Sequence, residues 1–185
     1  MTLSLNKFLF SISFALDLAE NEIKCTSSKH SKRVAYICVK IADIMGLSDE
    51  EKFDLCSYSL LHDNGLIESY CNFNNQYENS GSEDYFNMIN FSDHCVIGEN
   101  NIKDFPFLTS QKDIILYHHE NYDGSGYPDN LSGEAIPLGA RIIRVCDVYA
   151  ALTSDRPYRQ AFESQSAVQL MIEEIKDFDV KVFLA

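Results

Sequence analysis

From residue 28 onward, hydrophobic side chains return every three or four positions. Val34, Ile37, Ile41 and Ile44 mark one stripe, with His30 on the same face. That spacing predicts a helix ending near Gly46, a residue suited to the position just past a helix C-terminus. Ser48-Asp49-Glu50-Glu51 reads as a new helix start, with the serine as cap and a glutamate three positions on. This second helix carries Phe53, Cys56, Leu60 and Leu61 into His62-Asp63 and stops near Gly65. Residues 68–93 break the pattern. Asn72, Asn74, Asn75, Gln76, Asn79, Ser80, Gly81 and Ser82 predict a long polar loop, followed by a short helix over 83–91. Helical spacing returns over 94–102, 109–119, 138–153 and 164–176, and Asp123 to Pro128 must form a tight turn.

The apolar run from Phe8 to Leu16 is interrupted by Ser11 and Ser13 and followed at once by Asp17. It is too short to span a bilayer and lacks a small-residue cleavage site, so it reads as a first helix, not a leader or anchor. No alternating run long enough for a strand occurs. The expectation is all-α: a single-domain helical bundle over residues 1–185. The apolar end at Phe178, Val180, Val182, Phe183 and Leu184 either docks on the bundle or is followed by further chain.

Charge narrows the partners. Fifteen Lys and Arg against 28 Asp and Glu give a net charge of −13. A surface this acidic repels polyanions, which argues against nucleic acid polymers and anionic membranes. A small anionic substrate would need a local island of positive charge, and metal ions are the obvious way to make one. Six cysteines without a CxxC pair or zinc-finger spacing read as reduced thiols of a cytoplasmic protein, most of them small core residues.

The chain has five histidines: His30, His62, His94, His118 and His119. Taken singly, a histidine on an apolar helical face is usually a hydrogen-bonded core residue. Together they suggest more, because several follow apolar helical stretches and one is joined directly to Asp63. Asp147 is the sharpest case, since its neighbours at helical steps are Ile143, Arg144, Ala150 and Ala151. A carboxylate in such a stripe costs several kcal/mol unless a positive group compensates it. Arg144 could be that group, and so could a divalent cation.

His62-Asp63 after Leu60-Leu61 resembles the signature of the HD superfamily of metal-dependent phosphohydrolases. His118-His119-Glu120-Asn121-Tyr122-Asp123-Gly124-Ser125-Gly126-Tyr127-Pro128 resembles, at every fixed position, the HHExxDGxGYP motif of the HD-GYP subgroup. Stretches at His30-Ser31-Lys32-Arg33, Ile136-Pro137, Asp147-Val148-Tyr149 and Asp155-Arg156-Pro157-Tyr158-Arg159 agree with it. The resemblance implies a helical bundle of the HD type that hydrolyses a cyclic dinucleotide, above all cyclic di-GMP, with His62 and Asp63 at the centre of catalysis. It implies one metal held by His30, His62, Asp63 and Asp147, and a second by His94, His118, His119 and the bridging Asp63. Iron or manganese is favoured for the pair, with zinc as a further candidate. By the same resemblance Arg156, Arg159 and Tyr127 face the substrate. The two arginines read equally as helix-end or surface ion pairs. Gly124, Gly126 and Pro128 shape the loop beside the site, which the family also uses toward diguanylate-cyclase domains. Glu120 and Asp123 orient the histidines from behind, or Asp123 simply sets the turn.

Three departures stand out. The HDxGK lysine is replaced by Leu66, the wall segment that normally follows is replaced by the Asn-rich stretch, and Thr26 stands where some members carry a glutamate for a third metal. Two metals are therefore expected. The lost lysine leaves three readings: an enzyme, slowed at most; a sensor or interaction module that binds without turnover; and, against the complete GYP motif, a nucleotide phosphohydrolase of the wider superfamily.

Overall fold

The computed structural model describes residues 4–24, 29–77, 92–156 and 159–185. The helices are α1 (Leu5–Lys24), α2 (His30–Met45), α3 (Asp49–Leu61), α4 (Leu66–Tyr77), α5 (Asp93–Asn101), α6 (Leu138–Leu152), α7 (Ser164–Glu173) and α8 (Val180–Phe183). Single 3₁₀ turns lie at Gly133–Ala135 and Ile175–Asp177. Among the described residues the only β pairing is an isolated antiparallel bridge between Arg156 and Arg159, so the all-α expectation holds.

The apolar stripe of α2 places that helix at the centre. Val34, Cys38 and Ala42 are fully buried, and α2 packs against both α3 and α6. Leu55, Tyr58, Leu60 and Leu61 from α3 meet Ile142, Ile143, Val145, Cys146 and Ala150 from α6 in one core. Each buried aliphatic side chain of this kind contributes roughly 1.5–3 kcal/mol. The ends of these helices follow the sequence. Gly46 closes α2 at φ 74°, its N–H reaching Ala42 and Asp43. Ser48 and Glu51 form a reciprocal capping box at the start of α3. The apolar C-terminus does dock: Phe178 and Val182 are buried in the same core, held near α6 by an Arg141–Asp179 ion pair.

Three expectations change. Residues 66–77 are helical although rich in asparagine, because Leu66 and Ser69 are buried and α4 packs on α1 and α5. Tertiary contact there overrides weak intrinsic propensity. The expected helix at 83–91 and the rest of the loop lie outside the described residues, as does Thr26. Residues 109–119 are not a helix; 110–113 are irregular and 114–119 run as successive turns. The cause is Glu99 of α5, whose carboxylate accepts the backbone N–H groups of Asp113, Ile115 and Leu116, with Asp113 in the left-handed region at φ 60°.

Helix α1 is built inside out. Its inward face carries Leu9, Ser13, Asp17 and Glu20, while Phe10, Phe14 and Leu18 face outward. Asp17 Oδ1 accepts the backbone N–H of Ser31 at 2.9 Å. The residue before α2, Lys29, provides no side-chain cap, so a carboxylate from another helix satisfies one of the open donors of the His30-bearing turn. Among the described residues no helix is long and apolar enough to cross a membrane.

Candidate metal centre

Five separate pieces of chain converge on one buried cage. His30 is the first residue of α2, and its Nε2 lies 2.9 Å from Asp147 Oδ1 on α6. His62 follows the last residue of α3. Its Nδ1 faces the Ser59 carbonyl at 2.9 Å, which turns Nε2 inward, 3.4 Å from Asp63 Oδ2 and 4.0 Å from Asp147 Oδ1. His94 stands in the first turn of α5 and His118 in the turn segment, their Nε2 atoms 3.4 Å apart. The Ile115 carbonyl, 2.6 Å from His118 Nδ1, fixes that ring in the same way.

Asp63 lies between the two groups. Oδ2 points to His62, while Oδ1 is 3.3 Å from His94 Nε2 and 3.9 Å from His118 Nε2. His119 closes the second group, its ring centroid 4.1 Å from that of His118 and 5.1 Å from that of His94. All seven residues expected as ligands are therefore brought together. Arg144 does not compensate Asp147, since its Nε donates to Asn121 Oδ1 at 3.0 Å.

The electrostatics of the two groups differ. Burial alone would lower the His30 pKa, but the hydrogen bond and charge of Asp147, with Glu20 and Asp63 beyond, raise it to about 9. Burial would likewise raise Asp147, and His30 instead holds it well below the usual carboxylate range. On the other side burial, reinforced by His94 and His62, pushes His118 down to about 3. Burial and then His118 push His119 well below its ordinary value. Neutral imidazoles with lone pairs turned toward a shared carboxylate are what a divalent cation requires. His62 Nε2 is buried and has no hydrogen bond. A donor set of imidazoles and carboxylates with such an orphaned nitrogen fits a metal pair, with His30, His62 and Asp63 in one cluster and His94, His118 and His119 in the other.

Two glycines make the convergence sterically feasible. A Cβ on Gly65 would collide with the His94 carbonyl and approach Gly98 N to 2.7 Å, so the turn after His62-Asp63 touches the backbone of α5. A Cβ on Gly126 would collide with the backbone of residues 119–121, which folds the GYP loop back onto His119. The Tyr127 ring lies tilted against that of His119, centroids 4.9 Å apart, and Tyr127 N donates to the His119 carbonyl at 3.3 Å. Pro128 follows through a cis peptide bond, and Gly124 takes φ 86°.

Some expected roles shift. Glu120 accepts the Asp129 N–H at 2.8 Å and has no hydrogen bond to a histidine, so it braces the loop. Asp123 accepts the Ser125 N–H at 2.9 Å and faces Lys176 at 3.7 Å, which makes it a turn-setting residue. Arg159 donates to the carbonyls of Ala151 at 2.9 Å and Leu152 at 3.0 Å, closing the C-terminus of α6. Arg33 reaches the same helix end through Thr153. Of the two arginines expected at the substrate, Arg156 alone keeps a side chain without such a helix-end role; its backbone pairs with Arg159. Leu66 is buried, 1% exposed, three residues past Asp63. Two residues at the site escaped the sequence reading: Asp17, whose role depends on a contact fourteen residues away, and Cys95, whose only signal was its place beside His94.

Residues 17–182 match the family model described as HD domain. The chain is 38% identical over 144 residues to the cyclic di-GMP phosphodiesterase response regulator RpfG of Xanthomonas campestris, covering 77% of this chain and 37% of that protein. It is 30% identical over 154 residues to the 3'3'-cGAMP-specific phosphodiesterase 2 of Vibrio cholerae, covering 83% of this chain and 29% of that protein. The chain thus spans about a third of the length of these relatives. Among solved structures, the cyclic GMP-AMP specific phosphodiesterase V-cGAP3 of V. cholerae superposes with a TM-score of 0.68 at 22% identity, covering 97% of this chain and 47% of that one. Bd1817 of Bdellovibrio bacteriovorus, an HDGYP protein, gives 0.62 at 21% identity, covering 84% of this chain and 49% of that one. At these identities the structural likeness speaks for the fold alone. The family match across most of the chain, together with the identity to RpfG, decides the matter: the chain belongs to the HD-GYP group of the HD-domain phosphohydrolases.

Proposed function

We propose that this chain is a phosphodiesterase that opens a cyclic dinucleotide, cyclic di-GMP first and 3'3'-cGAMP second, at a binuclear metal centre. The observation that carries the reading is the placement of Asp63, one oxygen toward His62 and the other toward His94 and His118. In this reading His30, His62, Asp63 and Asp147 hold one cation. His94, His118, His119 and Asp63 hold the other. Iron or manganese suits the mixed imidazole and carboxylate set, as does zinc. Bound there, a cation pair supplies activated water at neutral pH and offsets charge on the phosphate.

The chain's own residues do the rest. The carbonyls of Ser59 and Ile115 hold His62 and His118 with Nε2 inward. Asp63 fixes the separation of the two ligand groups. Tyr127 and Arg156 contact the substrate in this reading, with the guanidinium suited to a phosphate or a guanine edge. The loop from Gly124 to Pro128 offers a surface to diguanylate-cyclase domains. None of the described cysteines is joined in a disulfide, which supports the expected cytoplasmic setting.

The test is anaerobic purification with metal quantification, followed by incubation with each dinucleotide. The expected result is two cations per chain and conversion of cyclic di-GMP to the linear dinucleotide. Two bound cations with no cleavage of either substrate would refute the enzyme and leave a binding module.

A further inference from the structure

One donor in the cage belongs to neither of the expected ligand sets. Cys95 directly follows His94 and is fully buried. Its Sγ lies 3.6 Å from His94 Nε2 and 3.9 Å from His118 Nδ1. With His94, His118 and His119 it forms a group whose donor atoms all lie within 4.8 Å of one another. We propose that Cys95 donates its sulfur to the cation of the His94, His118 and His119 half, which makes that half a thiolate-bearing, softer metal site. The proposal rests on the binuclear reading above and deepens it.

The geometry supports it in two distances. Bonds of about 2.0–2.1 Å to nitrogen and about 2.3 Å to sulfur, set at tetrahedral angles, place two nitrogens about 3.4 Å apart and a nitrogen and a sulfur about 3.6 Å apart. The His94 to His118 separation is 3.4 Å and the Cys95 to His94 separation is 3.6 Å. Two donor-to-donor distances around one shared cation are thus already close to length. Metal-bound cysteine donates as the thiolate. A thiolate strengthens the preference for zinc or cobalt over manganese, and the His30 half, with two carboxylates and no sulfur, has that preference more weakly. Among the described residues, the ligand group that holds Cys95 contains no second thiol. Cys38 and Cys146 contact each other elsewhere in the core, so a sulfur signal from the cage can be separated from theirs.

The experiment loads the full chain with cobalt(II) to two equivalents and records the near-ultraviolet spectrum, alongside Cys95→Ser and Cys95→Ala. The expected result is a thiolate-to-cobalt charge-transfer band that is absent from both variants. Zinc affinity at one of the two positions should fall in the variants by more than the roughly 10–100-fold typical of losing an outer-sphere partner, and preference for zinc over manganese should narrow. Wild-type protein with two bound cobalt ions and no band overturns the inference, as does a band that persists in both variants. Protein that binds no cobalt, zinc or manganese fails at an earlier point, because that outcome sinks the binuclear reading together with the thiolate; metal at full stoichiometry without sulfur sinks the thiolate alone.

Discussion

The two halves of the cage are built from different materials. The His30 half stands on regular helices, with proposed ligands at the start of α2, the end of α3 and the middle of α6. Its protein-only electrostatics are those of an imidazolium and a carboxylate, 2.9 Å apart, each holding the other charged. The His94 half stands on a nine-residue helix and a run of turns, α5 and residues 114–119. Its imidazoles crowd one another, and burial holds those of His118 and His119 neutral. One half is already neutralised without a cation, while the other is a cluster of lone pairs. A metal entering the first must displace a proton from His30; one entering the second meets no such competitor at His118 or His119 at neutral pH.

The strongest way to break the contrast is to remove what the halves share. Asp63→Ala should lose both cations and abolish hydrolysis, as read by elemental analysis on protein that keeps its helical circular dichroism. Unchanged stoichiometry would mean that Asp63 bridges nothing. Single-sided variants come next: His30→Ala should lose one equivalent and His118→Ala the other, so that the double variant holds none. If either single variant loses both, the halves are one cooperative site. Leu66→Lys should raise turnover roughly tenfold or more, since a cation near developing phosphate charge is worth about 10²–10³ in rate and part of that is lost to burying a lysine in a closed position. A rate at or below that of the wild type would show that the missing lysine is not what limits this chain.

Smaller effects separate the supports. Asp17→Ala removes the cap on the first turn of α2 and should lower stability by about 1–2 kcal/mol. Cation affinity should weaken in the His30 half only, as seen by competition with a chelator. The smallest effect is in pH dependence without metal. His30 has a folded pKa raised from 6.5 to about 9, so its contribution is complete below pH 6.5 and is lost as pH rises through about 9. His118 has a folded pKa lowered from 6.5 to about 3, so its contribution is present above pH 6.5 and is lost as pH falls toward 3. Metal-free protein should therefore be most stable near pH 6.5. His30→Gln should flatten the alkaline limb and His118→Gln the acid limb in urea titrations; identical limbs in all three proteins would erase the distinction.

Much of the first half was legible in the sequence. His30 sits on the stripe of Val34 and Ile41, and Asp147 stands out as a carboxylate among apolar neighbours, because helical period maps position onto face. The second half was legible as motif but not as structure. Ile114-Ile115 before His118-His119 has helical spacing, yet Glu99 takes the backbone donors of residues 113–116 from another element and bends the segment into turns. Arg159 illustrates the same limit. Its type suits a phosphate, and only the fold reveals that the carbonyls of Ala151 and Leu152 already occupy it.

By itself the sequence determined the kinds of donor present, the core helices and their caps, and the membership of the family, because composition, period and motif are local properties. The tertiary structure decided which donor faces which: Asp63 toward His94 and His118, Cys95 near His118, Asp17 on the first turn of α2, Arg33 on the end of α6. Those pairings join residues from 14 to 120 positions apart, as Asp17 with Ser31 and Arg33 with Thr153. Their distances are set by how whole helices pack, and no short-range pattern carries that information.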